Sequence, residues 1–274
     1  MTALGTGLDR RGATGLPAWA YAIAAVGVAL IVVPPLALLF RTPWGTFVDQ
    51  VTSSSSLDAL RLSLTTAATS TVLCLVLGVP MAVIFARHDG VVVRVLRALV
   101  LLPLVLPPVV GGLALLYTFG RLGIIGGRLH DVGIDVAFTT TAVVLAQTFV
   151  ALPFLVISVE GAVRVIGTRY EEVAATLGAG PSRTLWKVTL PLVAPSLVAG
   201  LVLSFARALG EFGATITFAG NAPGVTQTAP LAIYVAAVDD PQAAVPLSLI
   251  LVVISLVVVV GVHSRRRRGE AGAL

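Results

Sequence analysis

Long apolar runs constrain this chain more than any other feature of its sequence. Six segments come close to or exceed the roughly 20 apolar residues that an α-helix needs to cross a ~30 Å hydrocarbon layer. Only α-helices and closed β-barrels satisfy their backbone hydrogen bonds in lipid, and barrel strands are about ten residues long with alternating polarity. The sequence therefore predicts an all-α polytopic membrane protein. The six predicted spans are residues 18–40, 60–86, 96–119, 138–160, 192–219 and 245–263.

The amino-acid composition excludes the main soluble alternatives. Of the 274 residues, 57% are hydrophobic and 11% are charged, whereas an average soluble domain has about 25% charged residues. The net charge of +5 does not indicate a nucleic-acid partner, because four of the 18 basic residues form the terminal run Arg265–Arg268 and most others flank apolar runs. The single cysteine, Cys74, excludes a disulfide within the chain. We expect the chain to be surrounded by membrane lipid.

Lysine and arginine in the connections indicate the orientation of the spans. Cytoplasmic connections of membrane proteins carry an excess of these residues. The two tails and the connections on their side of the membrane have thirteen lysine and arginine residues, and the connections on the opposite side have three. Both termini are therefore expected in the cytoplasm. The larger set is Arg10, Arg11, Arg87, Arg94, Arg97, Arg164, Arg169, Arg183, Lys187 and Arg265–Arg268, and the smaller set is Arg41, Arg121 and Arg128.

The runs divide the chain into four parts. Residues 1–17 form a cytoplasmic tail. Residues 18–56 hold the first span and an outer loop, and that span is longer than the 7–15 apolar residues typical of a signal peptide. Residues 57–263 hold the other five spans and a cytoplasmic segment at 168–190. Residues 264–274 form a basic cytoplasmic tail.

The predicted cytoplasmic segment contains several helix-start and helix-stop signals. Thr168 and Glu171 have the spacing of a capping box, so a short helix is expected to begin there. Gly178 or Gly180 is expected to end that helix in a left-handed conformation, and Pro181 to begin a second helical piece. We expect a compact helix-turn-helix that is joined stiffly to the fifth span.

The same segment resembles the EAA signature of permease subunits of ABC importers. The signature is Glu-Ala-Ala, three residues, Gly, nine residues and Ile-x-Leu-Pro. This chain has Glu172-Val-Ala-x-x-x-Gly178, nine residues and Val188-x-Leu190-Pro191, so every spacing matches and two positions carry valine instead. The resemblance covers about residues 57–263 and implies a type I ABC importer transmembrane domain. It assigns docking on the ATPase subunit to Glu171, Glu172, Ala174, Ala175, Gly178, Leu190 and Pro191.

The chain has no phosphate-binding loop of its own. It lacks GxxxxGK[ST], and Lys187 is its only lysine, so ATP hydrolysis is expected on another polypeptide. The resemblance implies two ATPase subunits that bind ATP and magnesium, an extracytoplasmic solute-binding protein and a homodimer of this chain. It implies no catalytic residue, metal or cofactor on the chain itself, and a location in the plasma membrane of a prokaryote.

A narrower resemblance concerns the substrate. Three stretches are similar to molybdate permeases and, more loosely, to sulfate and tungstate permeases. They are Gly210-Glu-Phe-Gly-Ala-Thr215, Asn221-x-Pro-Gly-x-Thr-x-Thr-x-Pro230 and Leu102-Pro-Leu-Val-Leu-Pro-Pro-Val-Val-Gly111. The resemblance implies molybdate transport and a molybdate-binding protein as partner. Sulfate or thiosulfate, and tungstate, stay open as alternative substrates.

Four polar residues of this region are candidates for the substrate pathway. Arg207 and Glu211 lie four apart within the predicted span 192–219, so they are expected to share a helix face. Ionisable residues inside a membrane usually face the bundle interior. The two residues either attract an oxyanion or hold helices together as a structural pair. Thr215 and Asn221 would add neutral hydrogen-bond donors near the outer mouth.

Two other classes of membrane protein fit the sequence less well. An intramembrane enzyme is not supported, because the chain has no HExxH, GxSxG or paired intramembrane aspartates. A channel or secondary transporter would be compatible with six spans. It would leave the signature from Glu172 to Gly178 without a purpose, since that signature serves only to dock an ATPase.

Overall fold

The computed structural model describes residues 17–271, with side chains as far as residue 261. Regular structure in this range consists of thirteen α-helices, one 3₁₀ turn and one π turn, so the predicted all-α class is confirmed. The predicted N-terminal tail up to residue 16 and the side chains of the basic C-terminal tail lie outside the described residues. The helices are α1 (Ala18–Arg41), α2 (Phe47–Val51), α3 (Ser54–Arg87), α4 (Val91–Leu101), α5 (Pro108–Phe119), α6 (Gly126–Asp131), α7 (Thr140–Ile166), α8 (Arg169–Thr176), α9 (Pro181–Thr184), α10 (Leu190–Leu209), α11 (Gly213–Ala219), α12 (Ala229–Asp239) and α13 (Ala244–Ala271).

Five helical stretches of the described range are long and apolar enough to cross a membrane, and a bent pair of helices makes a sixth. The five overlap the predicted first, second, fourth, fifth and sixth spans. They are Ala18–Arg41, Ser54–Arg87, Thr140–Ile166, Pro181–Leu209 and Ala244–Gly261.

The third predicted span, residues 96–119, is wrong in its shape. Val91–Leu104 and Pro108–Phe119 are separate helical pieces whose axes differ by 116°. Pro107 adopts an extended conformation, with φ −53° and ψ 133°. Proline removes a backbone donor and disfavours helix in the residue before it, so adjacent prolines at 107 and 108 break the helix although hydropathy continues across the break.

The fifth predicted span, residues 192–219, is wrong at both ends. The helix begins at Pro181 and ends at Leu209, and Gly213–Ala219 form the separate helix α11. Glycine costs about 1 kcal/mol relative to alanine inside a helix, and Gly210 and Gly213 flank the break. A further apolar helix, α12, lies in the predicted outer connection 220–244, where its eleven residues are too few to span.

Helix α7 lies at the centre of the bundle and packs against both α3 and α10. Two glycines allow these close approaches. A Cβ on Gly78 of α3 would lie 3.0 Å from Leu155 Cδ2, and one on Gly200 of α10 would lie 2.9 Å from Ser158 Cβ. Without a hydrophobic driving force between helices in lipid, such small-residue contacts are a main source of helix association.

A second buried cluster forms where α5 and α11 pack against the first half of α7. Phe218 of α11 is fully buried there, with its ring centroid 6.4 Å from that of Phe119. A Cβ on Gly112 would lie 2.7 Å from Thr217 Cβ, so α5 and α11 are in backbone contact. This cluster lies at the end of α7 opposite α8, and α11 carries the pathway candidate Thr215.

Candidate functional site

The predicted cytoplasmic segment folds as two short helices separated by a tight turn. Helix α8 ends at Thr176, and Gly178 has a left-handed φ of +78°, as expected. The amide of Gly178 donates to the carbonyl of Ala175, and that of Ala179 donates to the carbonyl of Ala174, both at 2.9 Å. This is the hydrogen-bond pattern of a Schellman motif, which satisfies the last carbonyls of the helix.

The second piece of the segment continues directly into the fifth span. Pro181 is in the first turn of α9, as predicted, and α9 runs through the π turn Leu185–Thr189 into α10. Pro181–Leu209 is therefore one helical stretch of 29 residues. The segment and the fifth span are thus continuous, with no loop between them; the stiffness of the connection stays a prediction.

The predicted capping box is wrong. The side chain of Thr168 makes no cap hydrogen bond; its hydroxyl instead donates to Glu172 Oε1 at 2.5 Å. The carboxylate of Glu171 turns towards the bundle, where Oε1 accepts from Arg87 Nη2 at 2.8 Å and from Thr189 Oγ1 at 2.7 Å. Glu171 therefore joins α8 to α3 and to the start of α10 rather than closing the first turn of its own helix.

The face of α8 that points away from the helix bundle is apolar. Tyr170, Val173 and Leu177 have spacings of three and four residues, so they share one face, and all three are exposed. Leu177 has 83% of its surface accessible. Helix α8 is not part of any candidate membrane span, and a contiguous exposed apolar face on such a helix is typical of a protein-binding surface. The sequence analysis missed this face, although its i, i+3, i+7 spacing is visible in the sequence.

Some of the predicted docking residues are exposed, and others are buried against the helix bundle. Glu172, Ala175, Gly178 and Pro191 are exposed, whereas Ala174 is buried and Leu190 is half-buried. Ala174 packs towards the bundle, so in this chain alone it offers almost no surface to a partner. Between α8 and the bundle lies a cavity of about 540 Å³, which is lined by Val83, Glu171, Ala175, Ala179, Pro181, Ser182, Thr184, Leu185 and Thr189.

Three arginines tie the ends of α3 and α7 together next to this segment. Arg87 Nη2 donates to the carbonyl of Gly167 at 2.7 Å. Arg97 Nε and Arg164 Nε lie 2.8 and 3.0 Å from Glu160 Oε1. Cations are favourable near helix C-termini, where carbonyls are unpaired. The sequence analysis used these arginines only as topology markers, because their partners are distant in sequence.

Arg207 and Glu211 are paired, but not through a shared helix face. Glu211 lies beyond Leu209, the last residue of α10, so that prediction is wrong. Arg207 Nη1 lies 2.5 Å from Glu211 Oε2. Glu211 Oε1 accepts the amide hydrogen of Ala214 at 2.8 Å, and only 1% of Glu211 is exposed. The carboxylate thus fastens the end of α10 to the start of α11 and neutralises Arg207.

The other two pathway candidates lie in α11 and just after it. Thr215 is fully buried in α11, and Asn221 is half-buried just after that helix. Thr215 Oγ1 and Asn221 Oδ1 have no hydrogen-bond partner among the described residues. Neither side chain is joined to Arg207 by a hydrogen bond or ion pair in that range.

Comparison with known proteins gives consistent matches. The family described as the binding-protein-dependent transport system inner membrane component matches residues 75–268. The chain is 60% identical to the molybdenum transport system permease protein ModB of Mycobacterium tuberculosis over 252 residues, covering 92% of this chain and 96% of that protein. It is 34% identical to the sulfate transport system permease protein CysT of Salmonella typhimurium, covering 88% of this chain and 89% of that protein.

Solved structures match the fold as well. A bacterial alginate ABC transporter, crystallised in complex with an alginate pentasaccharide-bound periplasmic protein, contains a chain that superposes with a TM-score of 0.67. The alignment covers 91% of this chain and 93% of that chain at 20% sequence identity. At this identity the match concerns the architecture of the transmembrane domain.

Proposed function

Because the chain belongs to the family of inner membrane components of binding-protein-dependent transport systems, we propose that it is the permease subunit of an ATP-driven importer for molybdate. The observation that supports this substrate most directly is the 60% identity to a molybdenum permease over 96% of that protein's length, against 34% to a sulfate permease. The chain is a transport component rather than an enzyme. It works with a separate ATPase subunit and a binding protein.

The proposed contact with the ATPase is the apolar face of α8 that points away from the helix bundle. Tyr170, Val173 and Leu177 supply apolar surface, and the exposed carboxylate of Glu172, which accepts a hydrogen bond from Thr168, lies beside them and would meet a basic residue of the partner. Glu171 acts from the other side of the helix through Arg87 and Thr189. Its role is to fix α8 to the bundle.

Movement of the docked segment would reach the membrane through α9 and α10. These helices and their π turn form one stretch, so a displacement at Pro181 would be passed along the helix towards Leu209 without an intervening loop. At Leu209 the helix meets the break before α11, which Glu211 bridges. ATP binding and hydrolysis on the partner would in this way open the pathway alternately to the two sides.

We place α8, both termini and the arginine cluster on the cytoplasmic side of a prokaryotic plasma membrane. The excess of basic residues in these connections supports this topology, since positive charge is retained on the cytoplasmic side. The outer connections at 120–139 and 220–243 would then face the molybdate-binding protein. The complex we propose has two copies of this chain and two ATPase subunits.

Along the substrate path, we propose that Arg207, Glu211, Thr215 and Asn221 flank the pathway without forming a closed anion site. The charge of Arg207 is cancelled by Glu211 at 2.5 Å, so the pair adds little net attraction for a dianion. Weak holding suits transport, because conduction requires release as well as entry.

Elemental uptake tests the proposed substrate. The chain would be expressed with its cognate ATPase and binding protein in cells that lack their own molybdate importer. Intracellular molybdenum would be read by mass spectrometry at low external molybdate, with and without a large excess of sulfate. We expect accumulation that persists in sulfate and is lost in Glu172→Arg. Accumulation that sulfate abolishes would move the assignment to the sulfate permeases.

A further inference from the structure

One face of α3 is polar over the half that lies away from the cytoplasmic segment. Asp58, Arg61, Thr65 and Thr69 follow each other at intervals of three or four residues, so they lie on one face, and all four are exposed. The same face continues with the exposed apolar Val72. A charged side chain on a helix of this kind is expected to face water or a cavity rather than hydrocarbon.

Arg61 is the unpaired cation of this face. Among residues 17–261, its guanidinium has no ion pair or hydrogen bond. The hydroxyls of Thr65 and Thr69 donate at 2.8 Å to the carbonyls one turn earlier, so their protons are already used. Arg207, by contrast, is neutralised by Glu211. Arg61 therefore has free donors for an anion, and the nearby carboxylate of Asp58 offsets part of its charge without forming an ion pair with it.

Arg61 also lines a cavity that the outer loop helps to build. The loop after α11 is held against α3 by the amide of Ala229, which donates to Ser63 Oγ at 2.7 Å. Gly224, with φ +73°, lies in this loop and forms part of the cavity wall. The cavity has a volume of about 270 Å³ and is lined by Asp58, Arg61, Leu62, Thr65 and Gly224. At about 30 Å³ per water molecule, it has room for a small tetrahedral ion with part of its hydration shell.

We propose that Arg61 is the residue that first receives the oxyanion at the outer mouth of the pathway. The proposal rests on the function proposed above. A guanidinium donates two parallel hydrogen bonds to the oxygens of a tetrahedral anion. Arg61 is 26 residues from Arg87, about 39 Å along the helix, so it lies at the end opposite the ATPase contact. Asp58 in the same cavity weakens the hold on an anion and so allows release.

This role has a consequence for the efficiency of transport. An oxyanion released by the binding protein either moves inward or returns to the medium, and a local positive charge raises its concentration at the mouth. Loss of the charge would let more substrate escape for each cycle of the ATPase. Arg61 should therefore affect the amount of molybdate moved per ATP hydrolysed. A residue needed only for folding would instead lower molybdate uptake and ATP hydrolysis together.

The test uses the complete complex in proteoliposomes, supplied with saturating molybdate-loaded binding protein. Molybdate uptake and ATP hydrolysis would be measured for the wild type, Arg61→Gln, Arg61→Lys and Arg128→Gln. Arg128 is the matched control, because it is an exposed arginine on the same side that does not line the cavity. We expect the molybdate-to-ATP ratio to fall roughly tenfold in Arg61→Gln, at the lower end of what local charge contributes to association. Arg61→Lys should keep most of the ratio and Arg128→Gln all of it.

A chemical variant separates charge from folding. Cys74, the single natural cysteine, is fully buried, so Arg61→Cys can be modified at residue 61 after the complex has assembled. A cationic thiol reagent should restore the molybdate-to-ATP ratio, and a neutral reagent of similar size should not. A wild-type ratio in Arg61→Gln, or equal effects of the two reagents, would overturn the role of Arg61. Failure of the wild type to transport molybdate would instead overturn the proposed substrate.

Discussion

Replacing Gly178 by alanine isolates one backbone conformation in the proposed ATPase contact. Its φ is +78°, and an added Cβ would meet no atom within 4 Å, so the cost is conformational rather than steric. A non-glycine residue in the left-handed region costs about 1–2 kcal/mol. If α8 docks only when this turn is formed, that cost lowers the docked population by at most a factor of about 5–30.

Gly133→Ala is a matched control for the strain itself. Gly133 follows α6 on the opposite side of the bundle with φ +81°, and a Cβ there also meets nothing within 4 Å. Its amide and that of Ile134 donate to the carbonyls of His130 and Leu129, the same pattern that closes α8. Both substitutions should therefore lower the thermal stability of the permease to a similar extent.

The assay that separates the two glycines is binding of the purified ATPase to the permease in proteoliposomes, together with ATP-driven molybdate uptake. Gly178→Ala should bind the ATPase more weakly, by at most about 5–30-fold, and Gly133→Ala should bind it as the wild type does. Gly178→Asn should recover part of the loss, because asparagine tolerates the left-handed region better than alanine. Equal ATPase binding by the two alanine variants would refute the assignment of α8 as the docking helix.

Four further substitutions test separate parts of the structure. Glu171→Gln removes the charge that pairs with Arg87, so it should lower the free energy of unfolding of the permease alone by about 1–3 kcal/mol in a thermal melt. Glu172→Gln should leave that melt unchanged and weaken only the complex with the ATPase. Leu177→Asp should leave the melting temperature unchanged, since the side chain is 83% exposed, and lower ATPase affinity roughly tenfold or more in a pull-down titration. Gly112→Ala should cost about 1–3 kcal/mol, because the new Cβ would lie 2.7 Å from Thr217 Cβ; an unchanged melt would show that α5 and α11 are not in backbone contact.

The spans and the turn of the docking segment could be predicted because their signals are local. Twenty apolar residues in a row specify a membrane helix by length alone, and Gly178 and Pro181 specify a helix end and a helix start by their own backbone preferences. The bend of the third span also has a local cause in Pro107, but a prediction based on hydropathy alone passes over it.

Side-chain partners could not be predicted in the same way. Glu171 and Glu172 are adjacent on a helix, so they point in directions about 100° apart, and only the position of Arg87 determines which one faces the bundle. The sequence spacing of Arg207 and Glu211 predicted the pair, but it could not show that the helix ends between them. Contacts of this kind depend on how distant elements meet.

The most direct test of the central claim is molybdate accumulation in proteoliposomes that contain the purified chain. The liposomes would hold ATP inside, with the ATPase on the inner face and the molybdate-binding protein outside, and each component would be omitted in turn. Accumulation against a gradient that requires ATP, the ATPase and the binding protein together is the predicted result. Accumulation of molybdate by the chain without ATPase or ATP would contradict it and identify a channel or secondary transporter.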